Sequence, residues 1–166
     1  MDNTPAELKL SGSALSALMQ DVLARGASFR FQAKGGSMSP FVKDQDILTL
    51  TKVNPATIRV GDIAAVRPPN RDTLIVHRVI RVSNHAFLLK GDNNPTPDGI
   101  FSPDAIIGIV DTIERKGRSA PFCSKPACLI IAVLSRSGLL NSCLLPLIRK
   151  VKSSMIKPSP SSQIAL

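Results

Sequence analysis

The strongest constraint on the fold is a succession of short, β-branched runs separated by turn clusters. SFRFQAKGG alternates, with Phe29, Phe31 and Ala33 on one face, and ends at a double glycine. That period of two marks a half-buried strand. DILTLTKV (46–53), DIAAVR (62–67), TLIVHRVIRV (73–82), AFLLK (86–90) and AIIGIVDTIE (105–114) follow. They are divided by RPPNRD, SNH and DNNPTPDG, whose Gly, Pro, Asn and Asp favour tight turns. No helical period lies between them, so the body is expected to be mostly antiparallel β, coiled or barrel-like.

Ahead of this body, Leu15, Leu18, Met19 and Val22 recur at the spacing of one helical face. The spacing predicts an amphipathic helix over 13–25, with Ser13 as its cap and Gly26 as its stop. The N-terminal MDNTPAELKLSGSALSALMQ holds acidic residues early and no long apolar run, which reads as neither a secretory signal nor a membrane anchor.

Charge divides the chain. It carries 21 Lys+Arg against 12 Asp+Glu, a net charge of +9. The excess lies entirely after residue 114, where Arg115, Lys116, Arg118, Lys125, Arg136, Arg149, Lys150, Lys152 and Lys157 face no Asp or Glu. The organisation expected is an N-terminal helix (1–26), a β domain (27–115) and a basic, apolar, helical tail (116–166). The tail's charges are interleaved with leucines rather than set in a polar stripe, and the chain has no Trp or Tyr; nucleic-acid binding is not expected. Cys123, Cys128 and Cys143 are too widely spaced for a zinc site and odd in number for a disulfide framework. They read as small hydrophobes, and no metal or cofactor is expected. Ala127–Ile148 is apolar apart from Arg136. A bilayer span, a hairpin packed on the domain and an interfacial element are all open; apolar burial with attraction of the cations to anionic lipid favours the interfacial one.

Three segments can carry chemistry. Gly35-Gly36-Ser37-Met38-Ser39-Pro40 follows a strand and would hold Ser37 on a tight, exposed turn. Ile75-Val76-His77-Arg78-Val79-Ile80 sets an imidazole, the usual base for a serine hydroxyl, in an apolar strand. His85, in SNHA, reads as a solvated turn residue. Lys90-Gly91-Asp92-Asn93-Asn94-Pro95-Thr96-Pro97-Asp98 places two carboxylates on one turn, either of which could accept the second imidazole proton. Each segment alone also fits an ordinary turn or core strand.

Taken together, G-S-M-x-P, G-D-I at Gly61-Asp62, I-V-H-R-V-I and K-G-D-N-N-x-x-x-D resemble the signal peptidase I superfamily, in its archaeal and endoplasmic-reticulum branch. The resemblance covers about residues 35–114. It implies a coiled β fold, Ser37 as nucleophile, His77 as base and Asp98 as the carboxylate that orients it. Asp92 would be a supporting neighbour, and Gly36 and Ser37 would form the oxyanion region. The implied substrate is a leader or signal peptide cut after small residues.

Two departures from the family bear on these expectations. Members normally have a membrane anchor before the nucleophile strand, where this sequence offers the amphipathic helix, so the basic tail could take over anchoring. Many also carry a serine two residues before the nucleophile, where Gly35 stands; losing such an oxyanion donor costs about 10²–10³ in rate. The location expected is the cytoplasmic face of a membrane, or the cytoplasm if the tail packs on the domain, and a partner subunit is compatible with either. The alternatives are a silent peptide- or membrane-binding module and a regulatory autoprotease. Autoproteases of this kind pair serine with lysine and carry a DNA-binding domain, for which the residues before Gly35 leave no room.

Overall fold

The computed structural model describes residues 12–69, 73–84, 86–120, 125–137 and 146. Helix α1 (Gly12–Ala24) precedes β1 (Phe29–Gln32), β2 (Ile47–Thr51), β3 (Ile63–Val66), β4 (Ile75–Ser83), β5 (Ala86–Lys90), β6 (Gly99–Phe101), β7 (Ile106–Arg115) and β8 (Arg118–Ser119). Helix α2 (Lys125–Arg136) follows. Short 3-10 turns at Pro55–Thr57 and Pro103–Ala105 lead into β3 and β7. The strands form one eight-stranded sheet in the order β1-β2-β7-β3-β4-β5-β6, with β8 on β7. Every pairing is antiparallel, as the alternating runs predict. Register shifts at Thr49/Leu50, Ala65/Val66 and Val79/Arg81 bend and twist the sheet locally.

The core lies on both faces of the central strands. Met38, Val42, Leu48, Ile63, Ile113 and Ala120 form one cluster, and Ile58, Ala64, Val66, Val79, Phe87, Leu89 and Phe101 another. Helix α1 lays Met19 and Leu23 on Leu50, Ala65 and Ile107. Burying a side chain of that size stabilises the fold by about 1.5–3 kcal/mol. The buried face of α1 differs from the expected one. It is centred on Ser16, Met19 and Leu23, with Leu15 and Val22 at its margins, while Leu18 is 40% exposed. A small residue at 16 lets the helix approach the sheet, and its hydroxyl is satisfied within the helix by Gly12 O at 2.7 Å. Among the described residues the helix starts at Gly12, so Ser13 stands inside its first turn rather than before it. The stop falls where expected. Ala27 N–H donates to Val22 O and Gly26 N–H to Leu23 O, with Gly26 at φ +79°, the Schellman arrangement that satisfies the last carbonyls.

Helix α2 covers the first part of the tail's apolar segment. Its inner face buries Ile131, Ala132 and Ser135, with Ile131 and Leu134 on Phe41 and the backbone of Cys128 against Gly61. Its outer face leaves Leu129, Ile130 and Val133 half exposed or more. No helix among the described residues is long and apolar enough to cross a membrane. His85, Cys123, Cys143 and most of 138–166 lie outside the described residues.

Candidate active site

The loop that carries Ser37 joins β1 to β2. Gly35 has φ +92°, a conformation open to glycine at little cost, and its N–H donates to Asp44 Oδ1 at 2.9 Å. Met38 is buried in the core beside Val42 and Leu48, so the residue next to Ser37 anchors the loop. Phe41 and Val42 N–H both donate to Met38 O. Ser37 stays half buried at the mouth of a cleft.

Strand β4 supplies the imidazole. His77 faces Ala64 of β3 in register, and its ring Nε2 lies 2.8 Å from Ser37 Oγ. Nδ1 lies 2.6 Å from Asp98 Oδ2. Asp98 sits just before β6, with its amide donating to Leu89 O at the end of β5. The His77 and Asp98 side chains are 10% and 16% exposed, so the pair is shielded yet open toward the serine. Hydroxyl, imidazole and carboxylate thus form one continuous line. The sequence names these three residues, and the fold brings them together across separations of 40 and 21 residues.

Asp92 serves a different partner. The two neighbouring residues of β4 point to opposite faces, so Arg78 turns away from the cleft. Its Nε and Nη2 bind Asp92 Oδ1 and Oδ2 at 2.8 and 2.7 Å, and Nη1 binds Gly61 O at 2.9 Å. Both side chains are essentially inaccessible, and the guanidinium lies over the Phe41 ring. Burial pushes the Arg78 guanidinium down, but the hydrogen bond and charge of Asp92 outweigh it and hold it above its ordinary value. Of the two carboxylates the sequence leaves open for the imidazole, the one at 98 reaches it and the one at 92 does not.

Sequence reasoning passed over the parts that hold the turn in place. Asn93 N–H donates to Ser37 O at 2.7 Å and its side-chain amide to Gly36 O at 3.1 Å. Gly91 packs so closely that a Cβ there would lie 2.8 Å from Ser37 O, so no other residue fits without movement. Lys90 is buried opposite Arg78, and its Nζ donates to Ser135 O of α2 at 2.8 Å. Burial holds its amine below the usual lysine value, with Asp92 and Asp98 pulling the other way. The available signal was the run K-G-D-N-N itself, where Lys90, Gly91, Asp92 and Asn93 each meet another element.

The cleft holds about 690 Å³ and runs between Phe31–Gly35 and Thr73–His77, with Leu15, Met38, Val42 and Leu48 also lining it. Pairing of β4 with β5 begins at Arg78, so on that side Ile75–His77 pair with no strand among the described residues. No cluster of three or more His, Cys, Asp or Glu side chains suited to a metal occurs among the described residues.

Residues 5–111 match the family described as Peptidase S24-like. The chain belongs to that family. This Peptidase S24-like chain is also 43% identical over 68 residues to the signal peptidase complex catalytic subunit SEC11C of Homo sapiens, covering 38% of this chain and 35% of that one. It is 41% identical over 75 residues to the putative signal peptidase complex catalytic subunit SEC11B of Homo sapiens (42% and 45% covered). With the signal peptidase complex catalytic subunit SEC11 of Schizophyllum commune it shares 33% identity over 102 residues (49% and 50% covered). It spans between 35% and 50% of the length of these relatives. They support the resemblance to the endoplasmic-reticulum-type signal peptidases drawn from residues 35–114.

Proposed function

We propose that the protein is a serine endopeptidase that cleaves leader or signal peptides through Ser37, His77 and Asp98. The observation that carries this reading is the unbroken line from Ser37 Oγ through both nitrogens of His77 to Asp98 Oδ2, at the edge of a peptide-sized cleft. His77 Nε2 takes the Ser37 proton as Oγ attacks the scissile carbonyl. Asp98 accepts from Nδ1–H, fixes the tautomer and stabilises the imidazolium. The imidazolium then protonates the leaving amine, and water, activated by the same base, releases the acyl group. Ser37 N–H faces the developing oxyanion.

The strand runs along the cleft suit an extended substrate that pairs by its main chain and offers alternate side chains to the walls. Ala33, Met38, Val42 and Val76 supply apolar walls, in keeping with small residues before the cut. The test compares wild type with Ser37→Ala on a peptide containing an Ala-x-Ala site, with products mapped by mass spectrometry. Cleavage after the second Ala by wild type alone is expected; equal cleavage by both proteins, or by neither when both are folded, refutes the assignment.

A second element of the reading is peripheral attachment to an anionic membrane, on the cytoplasmic face. Leu129, Ile130 and Val133 project from one side of α2, beside Arg136 and ahead of a segment rich in Leu, Lys and Arg. Apolar burial and roughly 1 kcal/mol per cation near anionic lipid act together in such elements. Replacing all three by Ser is expected to reduce sedimentation with anionic vesicles while leaving peptide cleavage intact; unchanged sedimentation overturns it. Because the relatives are named as subunits of a complex, a partner subunit is part of the same proposal.

A further inference from the structure

The Gly36–Ser37 peptide bond is held at its carbonyl end by two donors from different parts of the fold. Ser39 N–H reaches Gly36 O at 3.1 Å from within the loop, and Asn93 Nδ2 reaches it at 3.1 Å from the turn after β5. The next carbonyl, Ser37 O, accepts from Asn93 N–H at 2.7 Å. One residue therefore grips two successive peptide groups of the nucleophile loop. Among the described residues the only cis bond is Ser39–Pro40, so the Gly36–Ser37 peptide is trans. In a trans peptide the C=O and the N–H point in opposite directions. Holding Gly36 O against Asn93 consequently aims Ser37 N–H away from the turn, and that N–H donates to no group among the described residues.

We propose that Asn93 is a positioning residue for catalysis, whose side-chain amide fixes the Gly36–Ser37 peptide so that Ser37 N–H is pre-aimed at the oxyanion. This rests on the serine-peptidase reading above and adds to it the group that orients the oxyanion donor. With Gly35 where a hydroxyl donor would otherwise stand, this N–H carries a larger share of the stabilisation. A donor fixed before the reaction needs no reorganisation as charge develops on the carbonyl oxygen. Asn93 touches neither substrate nor the reacting atoms; it acts through the peptide it holds.

The experiment uses the whole 166-residue chain and compares wild type, Asn93→Asp and Asn93→Ala on the Ala-x-Ala peptide, with a peptide aldehyde of the same sequence as the tetrahedral-intermediate mimic. Asp keeps the shape of Asn and the backbone N–H bond to Ser37 O, but presents Gly36 O with an acceptor in place of a donor. The expected result for Asn93→Asp is a fall of about tenfold in kcat, a matching loss of aldehyde affinity and KM within about twofold. This lies below the 10²–10³ of an entire lost donor, because Ser39 N–H still holds the carbonyl. Asn93→Ala is expected to follow the same split to a smaller degree, since it removes the donor without adding repulsion. Wild-type kcat and aldehyde affinity in Asn93→Asp overturn the proposal, as does a fall in kcat with aldehyde affinity unchanged. Loss of thermal stability with kcat and KM changing together also overturns it, since that marks a structural role. If wild type itself shows no Ser37-dependent cleavage, the peptidase reading fails first and this inference falls with it; an active wild type beside an unaffected Asn93→Asp sinks the inference alone.

Discussion

The two faces of β4 carry two carboxylate pairs that begin from the same materials. His77 and Arg78 are adjacent, and Asp98 and Asp92 come from one turn. On the cleft face the pair is slightly exposed and ends on a hydroxyl, so a proton can enter and leave. On the α2 face the pair is sealed, bidentate and capped by Gly61 O, and guanidinium keeps its charge at accessible pH. The alternation of a single strand thus separates a pair that ends on a hydroxyl from a permanently charged one. The second supports the first: Arg78 fixes Asp92, the turn that holds Asp92 also holds Asn93 on the nucleophile loop, and it ends at Asp98.

If that division is right, substitutions on the two faces fail differently. The largest effect is expected on the cleft face. His77→Ala should lower kcat by about 10⁶ and Asp98→Asn by about 10⁴, with thermal unfolding within a few degrees of wild type. A large loss of stability in either would erase the distinction. On the other face, Asp92→Ala leaves a guanidinium buried without its partner and should cost about 3–5 kcal/mol, read by urea unfolding. Activity per folded molecule falls less than stability does.

A third pair sharpens the contrast, because it joins a buried carboxylate to a partly exposed cation. Arg115 binds Asp46 Oδ1 and Oδ2 at 2.8 and 2.7 Å and Phe41 O at 3.0 Å, with its own side chain 27% exposed. Burial raises the Asp46 carboxyl, but the Arg115 hydrogen bond, the Lys43 N–H and both charges outweigh it, and the group sits below the ordinary carboxylate value. A carboxylate depressed in the folded state stabilises fully above its unfolded value, near 3.9, and that contribution vanishes as pH falls through the folded value. Arg115→Met should therefore cost about 1–2 kcal/mol at pH 7. The gap from wild type should close on acidification below about pH 4; a constant gap contradicts the linkage. The smallest effect is expected at Ser135, whose buried hydroxyl has no hydrogen-bond partner among the described residues. Ser135→Ala should leave the Lys90 bond, which uses the backbone carbonyl, intact and raise stability by up to about 1 kcal/mol; a clear loss of stability would mean that the hydroxyl is satisfied.

Most of the sheet was legible because its strands bury one face and expose the other. Phe29 and Phe31 turn inward while Arg30 and Gln32 face out, and 86–90 coincides with β5. Strands β6 and β8 were not legible, since three and two residues carry no period. The face of α1 was misjudged because Ser16 is polar by composition yet buried by its bond to Gly12 O. Ser37, His77 and Asp98 could be named because the motifs that hold them, taken together, resemble those of one family. What periodicity could not assign was which aspartate meets the imidazole. That depends on Arg78 capturing Asp92 on the far face, a choice made by three-dimensional burial. The work of Lys90, Gly91 and Asn93 was hidden for a similar reason: their partners are backbone carbonyls of other segments, and a carbonyl carries no sequence signature.

The side of Ile75–His77 that turns away from β3, which meets no strand among the described residues, lies within a concavity rather than along a convex rim. Flat sheet edges invite other sheets, but a recessed edge is accessible only to something as thin as a single strand. On the proposed peptidase reading, the cleft selects for chain that is locally unfolded before it selects for sequence. A scissile segment protected inside a folded protein would be refused however well its residues matched, and the same segment in an unstructured leader would be admitted.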